Sequence, residues 1–246
     1  IGFLYQGFEP SAKLLTFPQD TGVEELEWNK TSQVLRQVLR DGGASEIIRS
    51  YAAVIDSYRT EDFQAFNENV QKLHADLRAV DPTLVGKASV EQQFNFIEPF
   101  YIAATGYVMA FLAVIISWVR WPQIMNKAAF GLICSCAVIH TIGIMFRIYI
   151  IGYAPVINLY SSAVFVGWGA VLLALALEAI FKNSMGNATA AIIGFATLLV
   201  AHHLSVGGDT LEMLRAVLDN NFWLATHVII ITLGYSATFL AGTIGF

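Results

Sequence analysis

The sequence predicts an all-α, polytopic membrane protein with about five transmembrane helices and an N-terminal, extracytoplasmic helical region. Of its 246 residues, 56% are hydrophobic and 13% are charged, whereas soluble domains carry about 25% charged residues. The charges are also unevenly distributed, because the acidic residues after Pro99 are only Glu178, Asp209, Glu212 and Asp219. We therefore expect two parts, a polar region over residues 1–98 and a transmembrane domain over residues 99–246.

Three amphipathic helices are predicted within the polar region. The first covers residues 28–43, where apolar residues recur at helical spacing until a pair of glycines ends the pattern. The second covers residues 45–60. The third covers residues 60–80, with Thr60 as the expected N-cap and Asp81-Pro82 as its end. Together they predict a small bundle that leans on the membrane helices or on a partner.

Five later stretches are long and apolar enough to cross a bilayer, which requires about 20 residues. These stretches are residues 100–119, 128–150, 159–181, 188–204 and 222–246. The fourth is the shortest, and it ends at two adjacent histidines, His202 and His203.

Lysine and arginine in the short loops indicate the orientation of these helices. The loops 120–127 and 182–187 carry lysine or arginine and no acidic residue. The loop 205–221 carries three acidic residues and one arginine, and the loop 151–158 carries no charge. We therefore expect the first two loops in the cytoplasm. The last two, together with the N-terminal region, are expected on the extracytoplasmic side of the cell (cytoplasmic) membrane.

Charge and cysteine content exclude several classes of protein. The formal net charge of −5 argues against nucleic acid as a partner. Cys134 and Cys136 lie two residues apart in an apolar run, so on a helix they point to different faces and do not pair readily. They are expected to be small buried side chains, and nothing indicates a disulfide framework or a zinc site.

Ionisable residues within membrane spans are costly, so each is a functional hypothesis. Glu178 is expected to extend to the cytoplasmic surface, and Arg147 to reach the outer surface or an anionic group. His140 is expected to hydrogen-bond to a neighbouring helix. His202 and His203 are expected to be interfacial, and adjacent helical residues point about 100° apart, so the two do not serve one ligand site.

His227 lies near the outer edge of the fifth stretch, just after the interfacial aromatic residue Trp223. A neutral imidazole at this position is able to ligate a metal, and haem iron is a frequent case. No second ligand accompanies it at a diagnostic spacing. Position alone therefore leaves both interpretations open, a metal ligand and an ordinary polar residue.

Two motifs resemble the CcsA family of cytochrome c biogenesis proteins. The stretch GYAPVINLYSSAVFVGW (152–168) resembles the family's G-x-x-P-x-x-N-L-Y-E-S loop and helix. The stretch VLDNNFWLATHVIIITLGYSATFLAG (217–242) resembles the family's L-x-S-x-W-L-x-x-H-V segment and the helix after it. Both occur in the family's order, with Arg147 upstream, and the resemblance covers about residues 139–246.

The chain departs from the family pattern in three respects. Ser161 stands where the family usually has glutamate. The tryptophan-rich WWD haem-binding motif and the family's later histidines are absent. Because these would follow the fifth stretch, we expect a chain truncated before the haem platform. Residues 1–98 lie outside the family's core pattern and are expected to be an insertion or the junction with a fused partner.

The resemblance implies haem handling, delivery and attachment in cytochrome c maturation. Haem b, as the transported or attached substrate, would be held at the outer membrane face for thioether formation with apocytochrome c. His227 matches the family's first external haem-ligand histidine, so any metal contact of this chain would be through haem iron. The candidate supporting residues are Arg147, Pro155, Asn158, Tyr160 and Trp223.

The resemblance also implies the partners, which are a ResB/CcsB-like membrane protein, apocytochrome c, haem and membrane lipid. The protein would be a component of a cytochrome c synthase, and this fragment alone is expected to bind haem weakly or not at all and to be inactive. Two alternatives remain from the sequence. One is a haem-free transporter or channel subunit whose polar path is lined by His140 and Arg147. The other is a structural anchor for the N-terminal bundle.

Overall fold

The computed structural model describes residues 15–19, 27–30, 46–152, 154–206 and 221–245. Within these ranges the chain forms, in order, two strands and eight helices. They are β1 (Leu15–Gln19), β2 (Glu27–Lys30), α1 (Glu46–Arg59), α2 (Phe63–Val80), α3 (Pro82–Ile97), α4 (Pro99–Val119), α5 (Pro122–Ile151), α6 (Leu159–Phe181), α7 (Met185–Val206) and α8 (Asn221–Gly245). The chain divides into two compact units, residues 1–86 and 87–246.

The two strands form an antiparallel pair in which Leu15 pairs with Lys30 and Gln19 with Glu27. This pair was not predicted. The helix predicted over residues 28–43 begins inside β2, so its first three residues are extended and hydrogen-bonded across the pair rather than helical. The rest of that predicted helix lies outside the described residues.

Helices α1 and α2 form a hairpin, as the periodicity of their sequences predicts. The Ser50 hydroxyl donates to Asp76 Oδ2 at 2.6 Å, and the Asn69 side-chain amide donates to the Ala53 carbonyl at 3.3 Å. Both bonds connect the two helices. These two hydrogen bonds fix the register of α1 against α2. Several large apolar side chains of the two helices remain partly exposed.

The predicted N-cap of α2 is wrong. Asp62, and not Thr60, accepts a hydrogen bond from the Ala65 amide, at 3.0 Å. The Thr60 hydroxyl instead donates to the Asp56 carbonyl, in the turn that ends α1. The C-terminal prediction is confirmed, since α2 ends at Val80 with Asp81 as its C-cap, but Pro82 then starts α3, a helix that was not predicted.

The five predicted membrane spans are confirmed as five helices, α4 to α8, each long and apolar enough to cross a bilayer. The largest difference in bounds is at α5, which begins at Pro122 rather than at residue 128. Proline is favoured at the first turn of a helix because the amide it lacks has no partner there. A helix start at Pro122 also shortens the α4–α5 connection to Arg120 and Trp121.

Small residues allow these helices to approach closely, as is usual in membrane bundles. The most extensive pairings are α6 with α7 and α4 with α5. Gly167 on α6 faces Thr197 on α7, and a Cβ at Gly167 would lie 2.7 Å from the Thr197 Cβ. Gly194 on α7 similarly lies against the ring of Tyr107 on α4.

Helix α8 packs mainly on α6. The Ser236 hydroxyl donates to the Val166 carbonyl at 3.0 Å, and Ser236 is fully buried. Most of the large apolar side chains of α8 are exposed, as expected for a helix that faces lipid. The two cysteines of α5 are both free, and Cys136 is buried beside Gly106, so the prediction that they do not pair is confirmed.

Candidate functional site

The loop that carries the first motif is anchored at both ends. Gly152 ends α5 with φ +78°, a left-handed conformation that glycine adopts without steric cost. Asn158 caps α6, because its side-chain oxygen accepts a hydrogen bond from the Ser161 amide at 2.8 Å. Asn158 is therefore the N-cap of α6. Pro155 lies half-buried in the loop between them.

Ser161 completes a reciprocal capping box with Asn158. Its hydroxyl oxygen accepts from the Asn158 amide at 2.9 Å and from the Ile157 amide at 2.9 Å. Ser161 occupies the third helical position, where glutamate is the typical capping-box partner. The serine that departs from the family pattern therefore performs the local role of the glutamate with a shorter side chain.

Arg147 lies one turn before the end of α5 and is buried, with 6% of its surface exposed. Its guanidinium carbon is 4.5 Å from the centroid of the Tyr160 ring at the start of α6. A guanidinium over an aromatic face is a favourable cation–π contact, particularly when desolvated. We call Arg147, Tyr160 and the nearby N-cap residue Asn158 the α5–α6 corner.

A groove of about 860 Å³ borders this corner. Its walls come from the first turns of α4 and the last turns of α7, and Arg147 and Tyr160 line it. The volume lies within the range of about 300–1,000 Å³ typical of small-molecule sites. The groove was not predicted, because its polar residues come from separate helices and share no sequence spacing.

The adjacent histidines of α7 have different surroundings. His202 lines the groove, and its ring centroid is 6.3 Å from that of Tyr101. His203 is exposed, and its Nδ1 lies 3.3 Å from the Leu199 carbonyl. Of the two, His202 lines the groove and His203 does not.

His140 lies at the centre of the bundle and is fully buried. Its Nε2 is 3.1 Å from the Val164 carbonyl on α6, and its Nδ1 is 3.4 Å from the Tyr107 hydroxyl on α4. The predicted hydrogen bond to a neighbouring helix is confirmed. Because the carbonyl only accepts, Nε2 carries the proton and the Tyr107 hydroxyl donates to Nδ1.

The prediction that Glu178 extends to the cytoplasmic surface is wrong. Only 3% of Glu178 is exposed, and its carboxyl group accepts three hydrogen bonds. The donors are Asn126 Nδ2 at 2.8 Å, the Ser184 amide at 3.1 Å and the Gly186 amide at 3.1 Å. The first amides of a helix lack partners within the helix, so the start of α7 provides a ready site for a carboxyl group.

The two predicted site residues of the second motif lie on α8. Trp223 is 61% exposed and stacks edge-on with Phe222, and the His227 side chain is also exposed. Neither residue lines the groove. The sequence-predicted residues thus fall into two sets, the α5–α6 corner and the start of α8. Among the described residues, no group of three His, Cys, Asp or Glu side chains could hold a metal ion.

Comparison with known proteins gives several relatives, although no protein-family model matches the chain. The chain is 26% identical over 234 residues to the protein NrfI of Wolinella succinogenes, which covers 92% of this chain and 24% of NrfI. It is 26% identical over 160 residues to the cytochrome c biogenesis protein CcsA of Prochlorococcus marinus strain NATL1A, covering 62% of this chain and 49% of CcsA. It is 28% identical over 134 residues to CcsA of Pyropia yezoensis, and this match covers 52% of this chain and 42% of that CcsA.

The matches to NrfI and to CcsA differ in length. The NrfI match extends over 92% of the chain, so it includes most of residues 1–98, whereas the CcsA matches are shorter. The chain spans about a quarter of NrfI and about half of the CcsA proteins. The resemblance indicated by the two motifs is confirmed, and the chain is homologous to NrfI and to the CcsA cytochrome c biogenesis proteins.

Proposed function

We propose that this chain handles haem in cytochrome c maturation. In this proposal haem b is a substrate, held at the extracytoplasmic face of the cell membrane with the His227 imidazole as an axial ligand. The observation that carries the proposal is the exposed imidazole of His227 within the segment that resembles the family's haem-ligand motif. The homology to cytochrome c biogenesis proteins supports the same role.

Exposure distinguishes His227 from His140, the histidine at the centre of the bundle. An axial ligand needs a ring nitrogen that iron is able to approach. Both ring nitrogens of His140 are engaged in the core, at 3.1 Å and 3.4 Å from their partners, and the residue is fully buried. His140 also lies outside the groove that Arg147 lines, which removes the support for a channel lined by both residues.

The proposed orientation depends on the positive charges near the helix ends. It also depends on the fact that successive spans cross the membrane in opposite directions. Arg120 in the α4–α5 connection, Lys127 in the first two turns of α5 and Lys182 in the α6–α7 turn favour the cytoplasm for this end of the bundle. The α5–α6 loop and the segment between α7 and α8 then belong to the opposite side. His227 is within the first two turns of α8 and would therefore lie close to that outer face.

The chemistry in this proposal is shared between haem and protein. Haem supplies the electrophilic vinyl groups, and each apocytochrome thiol adds its sulfur to one vinyl carbon while a proton is added to the other. The protein would hold the iron through His227 and orient the ring beside the apocytochrome. The whole activity would also require the ResB/CcsB-like partner.

The remaining candidate residues have supporting roles in this proposal. Asn158 and Pro155 shape the loop, and Arg147 packed on Tyr160 fixes the α5–α6 corner at the same membrane level. Trp223 would anchor the start of α8 at the interface. None of these residues is proposed to contact iron.

Replacing His227 by alanine tests the proposal directly. In the full-length protein, purified with its bound haem, we expect His227→Ala to abolish the bis-histidine absorption spectrum and to leave less than about a tenth of the bound haem. Added imidazole should restore a low-spin spectrum, because it replaces the missing ligand. His203→Ala is the matched control, since His203 is also exposed. An unchanged spectrum in His227→Ala would contradict the proposal.

Labelling from either side of the membrane tests the proposed orientation. In a variant with Cys134 and Cys136 replaced by serine, we expect His227→Cys to react with a membrane-impermeant maleimide added to intact cells or spheroplasts. Asn183→Cys, in the exposed α6–α7 turn, should react only after the membrane is opened. Reversed labelling of the two positions would place His227 in the cytoplasm and remove its proposed role.

A further inference from the structure

We propose that the groove between α4 and α7 is a binding site for a zwitterionic phospholipid that bears a primary ammonium group, of the phosphatidylethanolamine type. The proposal does not depend on haem or on His227. It follows from the direction in which the groove opens, from its length and from the order of charges along it.

The groove opens sideways from the bundle. Tyr101 on α4 and Leu199 on α7 both line it, and they are 64% and 44% exposed. Both helices are long and apolar enough to span a bilayer. In this structure the groove opens on the surface that these two helices share, a position that suits an amphiphile entering from the membrane.

The length of the groove matches one leaflet. Along α4 its lining extends from Pro99 to Val108, and along α7 from Ser205 to Phe195. Ten residues of helix rise about 15 Å, which is half of the roughly 30 Å hydrocarbon thickness. The deeper part of the lining is apolar and includes Val108, Phe195 and Leu198, as an acyl chain requires.

Charges of both signs line the end of the groove. Arg147 lies four residues, or about 6 Å, inside the end of α5. Glu98 directly precedes α4 at the end of the bundle, and Glu91 on α3 contributes a second carboxyl group. In a phospholipid the phosphate is adjacent to the glycerol, and the ammonium lies farther out. Arg147, which lies deeper, is therefore placed to contact the phosphate. The carboxyl groups of Glu91 and Glu98, which lie farther out, are placed to contact the ammonium group.

The donors near Arg147 suit a phosphate. A guanidinium has five N–H donors in a fixed arrangement, so it serves several acceptors at once. The Tyr160 side chain and His202 line the same end of the groove. The two carboxyl groups disfavour a ligand that carries only negative charge, such as an anionic lipid or a porphyrin with two propionates.

The test is native mass spectrometry of the whole protein in detergent, with added phosphatidylethanolamine, phosphatidylcholine or phosphatidylglycerol. We expect one phosphatidylethanolamine to be retained preferentially. Arg147→Gln should weaken its binding about tenfold, since a charge-assisted hydrogen bond is lost. Glu91→Gln combined with Glu98→Gln should abolish the preference over phosphatidylcholine. Arg120→Gln, which is exposed at the opposite end of α4, is the matched control.

A second variant separates lipid binding from misfolding. Ala104 lines the groove wall, and Ala104→Phe would occupy the space of the acyl chain. We expect this variant to lose the lipid and to remain monodisperse with an unchanged helical signal. Equal retention of all three lipids by the wild-type protein would overturn the proposal. Displacement of the bound lipid by haemin would also overturn it, by assigning the groove to a porphyrin.

Discussion

Glu178→Ala is expected to lower the free energy of unfolding by about 3 kcal/mol, since it leaves buried donors without an acceptor. The donors affected are Asn126 Nδ2 on α5 and the amides of Ser184 and Gly186 at the start of α7. Glu178 therefore connects three segments with one carboxyl group. Equilibrium unfolding in detergent micelles measures the loss.

Two further variants define the cause of that loss. Glu178→Gln retains one acceptor oxygen but directs an NH₂ group at a donor, so we expect an intermediate loss of about 1–2 kcal/mol. Glu68→Ala, at an exposed acidic residue on α2, should change stability by less than about 0.5 kcal/mol. A wild-type unfolding curve for Glu178→Ala would show that the three donors find other partners.

Gly167→Ala is the second substitution with a large expected effect, a loss of about 2–3 kcal/mol from overpacking between α6 and α7. A Cβ at this position would meet Thr197, with only 2.7 Å to the Thr197 Cβ, and both residues are buried in the most extensive helix pair. The helices would have to separate. Thermal unfolding in detergent measures the effect.

A matched glycine and a compensating change make this prediction specific. A Cβ added at Gly234 on α8 would have no neighbouring side chain within 4 Å, so Gly234→Ala should not destabilise the protein. Thr197→Gly combined with Gly167→Ala should recover much of the lost stability, because it removes the opposing side chain. If Gly167→Ala and Gly234→Ala unfold at the same temperature, the close approach of α6 and α7 at Gly167 does not limit stability.

The spans were predictable because a bilayer fixes their length and forces apolar composition, and both properties are local in the sequence. The bounds of α6, residues 159–181, agree with the prediction at both ends. The N-cap of that helix, Asn158, is also a local feature, since the cap and the amide it accepts from lie three residues apart. The hydrogen bond of His140 to a neighbouring helix was also predictable, because a polar ring within a bilayer requires a hydrogen-bond partner.

Features built from distant residues were not predictable. Glu178 is close enough to the helix end to suggest that it extends to the surface, but its three donors come from residues 126, 184 and 186 on other segments. The groove combines Glu98, Arg147 and His202 from three parts of the chain. The pairing of β1 with β2 likewise depends on a partner strand that no local periodicity reveals.

The position of His140 has a consequence for biosynthesis. A membrane protein is inserted from its N-terminus, so α4 and α5 enter the bilayer before α6. At that stage Tyr107 is present but the Val164 carbonyl is not, and one ring nitrogen of His140 lies in lipid without an acceptor. Docking of α6 relieves this cost. This hydrogen bond therefore favours the docking of α6 onto the α4–α5 hairpin as soon as α6 has entered the bilayer.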